Sequence, residues 1–203
     1  MSNDRTIIAK HLTDRQAQIV GESINIISEQ GIQGLTIKNL SKKIGLSEPA
    51  IYRHFDSKVD ILLTILDIFN QDKQFAVIKI VGDQLGAVEK LEAFYVHHFQ
   101  SFTENPALTA VIFSEEIFKS EPRLSAKVLE IMKANQVILS GILEHGQLDN
   151  ELRTDIPVSQ LAIIILGSLR LMITQWRLSN FSFDLEKEGG ELWCTLKNLI
   201  SRD

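Results

Sequence analysis

Cysteine is nearly missing: Cys194 is the single one. One thiol cannot close an intrachain disulfide or build a cysteine-rich zinc site, and a reducing, cytoplasmic setting is expected. Proline is sparse, with four in 203 residues. Each of Pro49, Pro106, Pro122 and Pro157 precedes or opens an apolar-periodic run, as proline does in a first helical turn. Neither Asn-Gly nor Asp-Gly occurs, so the strongest hairpin signal is missing. Long apolar runs are missing too. The most apolar stretch, Leu161–Leu166, is six residues long, against the roughly 20 that a membrane-spanning helix needs. The start, Met-Ser-Asn-Asp-Arg, has no apolar signal region. A buried or interface helix is expected at Leu161–Leu166, and no membrane partner.

Signatures of catalysis are also lacking. There is no Gly-x-Gly and hence no dinucleotide fingerprint. Gly141 and Gly146 have phosphate-loop spacing, but Gln147 stands where lysine is required. No histidine has a glutamate three residues before it, which removes the di-iron bundle signature. His97 and His98 are adjacent, so on a helix they point about 100° apart and cannot act as an i, i+4 ligand pair. No catalytic residue, cofactor or metal is expected.

What is present is ordinary globular composition: 44% hydrophobic, 23% charged and 7% aromatic, with a net charge of −5. The chain is long enough to bury a substantial core. Its charge is uneven. Between residues 36 and 58, Lys38, Lys42, Lys43, Arg53 and Lys58 face only Glu48 and Asp56, a net +3 that leaves −8 for the rest. A short basic segment on an acidic body fits a local polyanion site.

The apolar spacing is helical throughout, and the fold class expected is all-α with about nine helices. A Thr13/Gln16 capping box opens a first helix over 14–30 with Val20, Ile24 and Ile27 on one face, closed by Gly31. Thr36 caps a second over 37–44, with Ile37, Leu40 and Ile44 inward. Gly45 turns the chain, a third helix follows Ser47 to about His54, and Ser57 caps a fourth that lasts to about Val81. Later helices are expected over 85–103, 106–118, 122–145, 157–179 and 184–201. A head over 1–60 and a larger body over 61–203 are the expected domains.

Residues 37–55 carry the function. Ser41 is small, Gly45 follows four residues later, and Ile51 six after that. Small, glycine, β-branched at this spacing lets two helices cross closely, with Leu40, Ile44, Ile51 and Phe55 as the apolar clamp. This is the helix-turn-helix pattern, whose second helix enters a DNA major groove.

The tip Tyr52-Arg53-His54-Phe55 resembles the tetracycline-repressor (TetR/AcrR) family of transcriptional regulators. The resemblance runs in register from Arg15 to Leu62, through Ile19-Val20, Gly31, Thr36-Ile37, Gly45-Leu46-Ser47, Ser57-Lys58 and Ile61-Leu62. The later segment Gly146-Gln147 to Glu151-Leu152-Arg153-Thr154-Asp155 looks like a recurring link between two long helices of that family, with Asn150 where glycine is frequent. Asparagine too tolerates a left-handed backbone.

The resemblance implies DNA contacts from Thr36, Lys38, Ser47, Glu48, Pro49, Ala50, Tyr52, Arg53, His54 and Lys58. Thr36 with the first amides of its helix, and Lys58, would hold phosphates. Tyr52 and His54 would position the backbone. Arg53 and the exposed Ser47, Glu48, Pro49 and Ala50 would face base edges.

It implies an effector cavity in a body rich in aromatics, which include Phe118. Phe94, His98, Phe102, Phe113, Asn135, Arg170, Gln175 and Trp176 are its candidate lining, with Glu115 and Glu116 as alternative partners for Arg170. It implies a homodimer through the last two helices, by way of Leu161, Ile165, Leu169, Leu192, Leu196 and Leu199. The expected function is a ligand-responsive repressor that binds a palindromic operator and is released by a small apolar or amphipathic effector. The alternatives are a helical binding protein or enzyme that keeps a DNA-binding-like head, and a nucleoid-type binder, which the acidic body disfavours.

Overall fold

A computed structural model of the chain describes residues 12–82, 84–113 and 120–202. Nine α-helices lie among them: α1 (Asp14–Gly34), α2 (Ile37–Ile44), α3 (Glu48–Tyr52), α4 (Lys58–Gly82), α5 (Ala87–Glu104), α6 (Ala107–Ile112), α7 (Pro122–Leu148), α8 (Val158–Leu178) and α9 (Leu185–Ile200). Among the described residues there is no strand, only an isolated antiparallel bridge between Leu152 and Ser201. The all-α expectation holds. The end of the helix expected at 106–118, with Glu115, Glu116 and Phe118, lies outside the described residues.

Local chemistry sets the helix ends. The Thr13 hydroxyl accepts from the Gln16 amide at 3.3 Å, and the Gln16 side-chain oxygen accepts from the Thr13 amide at 3.1 Å. Gly31 leaves the helical region at φ 70° and ψ 176°, as the break predicts, but a further turn carries α1 to Gly34. Gly45 sits left-handed at φ 74° and ψ 31°, where a β carbon costs about 1–2 kcal/mol. At α4 the Ser57 hydroxyl accepts from the Asp60 amide at 3.3 Å and donates to its carboxylate at 2.6 Å.

The packing forms two compact units. One holds the residues up to Asp72 with Pro106–Leu129, and the other Lys73–Asn105 with the chain from Glu130. In the first, α1 packs on α2 and α6, and α2 on α3. Ile19, Val20, Ile26, Leu35, Leu40, Ile51 and Phe55 are buried there, while Ile24, Ile37 and Ile44 are half-buried.

In the second unit α9 packs on α5 and α8, and α5 on α8. A β carbon at Gly189 would stand 2.4 Å from the Phe99 ring, so glycine permits this close crossing. Tyr95 meets Phe99 edge-on at 5.0 Å and lies 5.5 Å from Trp193. Its hydroxyl is 3.1 Å from the Ser168 oxygen. Burial pushes the Tyr95 phenol above its ordinary range, against the opposing hydrogen bond to Ser168. Asn150 is left-handed at φ 61°, and the link it belongs to is tied down. The Glu151 carboxylate accepts from the Val88 amide at 3.3 Å, at the start of α5. The Gln147 side chain donates to the carbonyls of Arg153 and Ile156, both at 2.9 Å.

α8 has 21 residues, with a mean hydropathy of 1.5 over its most apolar 18-residue stretch, long and apolar enough to cross a membrane by length and composition. The six-residue run understated it, because Gly167, Ser168 and Arg170 only partly dilute the apolar average, and the second arginine, Arg177, falls in the last turn. One of its faces, including Leu161, Ala162, Ile165, Leu169, Ile173 and Trp176, is buried in the second unit.

Candidate nucleic-acid interface and body cleft

The head presents a polar surface on a packed scaffold. Thr36 is exposed and caps α2 by accepting from the Asn39 amide at 3.1 Å. The first amides of α2 have no helical acceptor; the Asn39 amide is taken by Thr36, and Lys38 beside it is exposed. α3 is short, with Pro49 in its first turn, and the Ser47 hydroxyl makes no capping bond. Ser47, Glu48, Pro49, Tyr52 and Arg53 are exposed. Ala50 departs from expectation: it is 8% exposed and turned into the head with Ile51. Three residues after the N-cap, the spiral of α3 brings its inner face round. His54 is half-buried, and its carbonyl accepts from the Gln16 side chain at 3.3 Å, which ties the tip to the start of α1. Lys58 is half-buried at the start of α4.

Arg123 is a neighbour that no local motif announces. Its guanidinium donates to the Asp60 carboxylate at 2.6 Å, across 63 residues of sequence. The Ser57 hydroxyl holds the Asp60 carboxyl below the usual carboxylate range against the opposing effect of burial, and Arg123 adds to the lowering. Farther along the same two helices, Lys127 lies 2.7 Å from Asp67.

None of the candidate effector residues lines the cleft described below. Phe94, His98, Phe102 and Trp176 are buried. The Phe94 and His98 rings meet at 4.3 Å, tilted by 42°, and the His98 Nδ1 lies 2.8 Å from the Phe94 carbonyl oxygen. Trp176 packs on Phe181 at 4.6 Å and donates to the Phe183 carbonyl at 3.0 Å, so it anchors the turn after α8. Asn135 and Arg170 are half-buried, and Gln175 is exposed. Phe113 is half-buried and belongs to the first unit, not the second. Aromatic density signalled core.

A cleft in the second unit has other walls. A cleft of about 410 Å³ is lined by Val77, Leu85, Ala87, Lys90, Val137, Ile138, Gly141, Ile142, His145, Asp149 and Glu151. It has an apolar floor with a few polar groups at its edge, the usual form of a small-molecule site. Its residues come from α4, α5, the link between them, α7 and the link that follows it. No single stretch of sequence carries more than one wall.

The candidate dimer residues split by helical phase. Leu161, Ile165, Leu169 and Leu196 are buried within the chain, Leu192 is half-buried and Leu199 is 55% exposed. The exposed apolar residues of α8 are instead Ile163, Ile164, Leu171 and Leu178. The sevenfold spacing of Ile164, Leu171 and Leu178 is the sequence signal that picks out this second stripe.

Comparison with known proteins adds to this geometry. Residues 19–65 match the family described as bacterial regulatory proteins, tetR family. Residues 72–197 match the YsiA-like protein C-terminal region. The fatty acid metabolism regulator protein of Bacillus subtilis is 26% identical over 180 residues, covering 87% of this chain and 90% of the relative. The nucleoid occlusion factor SlmA of Vibrio campbellii is 23% identical over 190 residues, covering 93% and 96%. Among solved structures, the transcriptional regulator FadR from Bacillus subtilis in complex with stearoyl-CoA superposes with a TM-score of 0.73. That match is at 24% identity and covers 89% of this chain and 96% of the other.

Proposed function

The chain belongs to the tetR family of bacterial regulatory proteins, and from that premise we propose that it is a homodimeric, cytoplasmic repressor of transcription. It holds a palindromic operator through a head over 1–60, and a small amphipathic effector bound in the body over 61–203 releases it. The observation that carries this reading is the polar tip Ser47, Glu48, Pro49, Tyr52 and Arg53, exposed above a buried Leu40, Ile51 and Phe55 clamp. Thr36, Lys38, Tyr52, His54 and Lys58 hold phosphates. Arg53 and Glu48 read base edges, the one suited to guanine and the other to cytosine. The exposed stripe of α8 supplies a self-complementary surface, since a two-fold interface buries the same patch on both copies.

The effector we assign to the cleft is an acyl chain on a polar carrier. The relative named for fatty acid metabolism and the stearoyl-CoA complex support that class, and the apolar floor suits the chain. The nucleoid occlusion relative supports a second reading, a protein serving chromosome organisation. The cleft favours the first.

Selection from a random duplex pool tests the DNA reading. It should return a palindrome, bound with an affinity that falls steeply as salt rises, because phosphate contacts release counterions. Equal affinity for every duplex, or a flat salt response, would end it. Stearoyl-CoA should then weaken binding of the selected duplex, and the duplex should weaken stearoyl-CoA binding by the same factor. Gly141 lines the cleft, and a β carbon there meets nothing within 4 Å. Gly141→Leu should fill the space without unfolding the chain, costing stearoyl-CoA about ten- to hundredfold in affinity and leaving DNA binding intact.

A further inference from the structure

Two ion pairs join α4 to α7 inside the first unit. Asp60 pairs with Arg123 at 2.6 Å, and Asp67 with Lys127 at 2.7 Å. Asp60 and Asp67 are two turns apart and so share a face of α4, and Arg123 and Lys127 are one turn apart on α7. The pairs keep the same order along both helices, so the two helices run in the same direction where they are joined. Leu124 and Val128, which flank the basic residues, are buried.

The first pair does more than join two surfaces. Asp60 accepts from the Ser57 hydroxyl at 2.6 Å, and Ser57 caps the helix that begins with Lys58. Arg123, Asp60, Ser57 and the first turn of α4 thus form one chain of hydrogen bonds. The Asp60 side chain is 24% exposed, so water competes for it only partly. Lys127 is the better covered partner of the second pair, with its side chain 18% exposed. α7 itself continues past Leu129 to the positions Val137 to His145 that line the cleft.

We propose that Arg123 and Lys127 are positioning residues for DNA binding: they fix the first turns of α4 on α7, so that the placement of Lys58 follows α7. The proposal rests on the DNA-binding reading above and adds to it a residue-level route. α7 carries ligand-lining residues near one end and grips the phosphate-binding helix near the other.

The experiment uses the full chain and the double variant R123Q/K127Q, whose changes preserve side-chain length. Amide exchange over residues 58–64 should quicken by about two- to tenfold, the range expected for two partly exposed pairs, with exchange over 158–178 unchanged. Unchanged exchange over 58–64 overturns the proposal without any DNA in the tube. Affinity for the duplex that the wild-type chain selects should fall by a similar factor, with the same salt slope, since neither residue touches phosphate. A shallower salt slope would make Arg123 a direct phosphate contact and overturn its positioning role. D60N should weaken binding as R123Q does, and the two together should cost no more than either alone. Tighter binding by D60N would mean that the carboxylate acts by repulsion, which also overturns the proposal. The exchanged pair D67K/K127D should recover part of the loss of K127D. Failure to select any duplex would sink the DNA reading, while exchange over 58–64 would still judge the pin.

Discussion

Around α2 and α3 the exposed side chains include Thr36, Lys38, Ser47, Glu48, Tyr52 and Arg53, whereas along α8 they include Ile163, Ile164, Leu171 and Leu178. Both regions sit on well-buried cores, so the contrast lies in their surfaces. A polyanion is met by charges and amides that stay hydrated until contact. An apolar stripe gains only when water is removed from it, which calls for another apolar surface. On the proposed reading, similar helices serve opposite purposes, according to what remains on the side that the core does not use.

The largest expected effects separate the two faces of α8. Ile165→Asp puts a charge at a position with no exposure and should cost at least about 4 kcal/mol, giving unfolded or insoluble protein by circular dichroism. Leu171→Asp, at a residue 60% exposed, should keep the helical signal while sedimentation shows monomers and operator affinity collapses. A dimeric Leu171→Asp variant would show that the stripe is surface and nothing more.

Close crossing in the second unit comes next. Gly189→Ala forces a β carbon to 2.4 Å from the Phe99 ring and should lower stability by about 1–3 kcal/mol in denaturant titration, with DNA specificity retained. Within the head, Arg53→Ala should cost on the order of 1–3 kcal/mol and relax one or two base positions, while Lys58→Ala should weaken every duplex alike. Uniform loss in Arg53→Ala would reassign that residue to phosphate.

The smallest effect is a pH dependence. The Asp60 carboxyl is held below its ordinary range by the Ser57 hydroxyl and then by Arg123. The ionised form is therefore favoured in the folded chain. Its contribution is fully present above the unfolded carboxylate pKa of about 3.9 and is lost as pH falls through the lower folded value. Asp60→Asn should flatten that part of the acid-unfolding curve; an unchanged curve would mean the pair adds nothing to stability.

Much of the chain was legible without coordinates. The caps at Thr13 and Ser57, the breaks at Gly31 and Gly45 and the left-handed Asn150 all depend on groups within about four residues of one another. Backbone sterics and short-range hydrogen bonds settle such features wherever the segment lies in the fold. The clamp of Leu40, Ile51 and Phe55 was legible for the same reason, since its residues fall within two short helices and one turn.

Tertiary structure alone decided the rest. α8 is apolar on both faces, so periodicity could not say whether Leu161, Ile165 and Leu169 or Ile163, Ile164 and Leu171 turn inward; packing against α5 and α9 chose the first set. The phase of a helix as short as α3 is equally free until α2 packs on it, which is how Ala50 came to be buried. The cleft is a space between α4, α5 and α7, and a space has no sequence of its own. Arg123 and Asp60 meet across 63 residues, because two helices had first to be laid side by side.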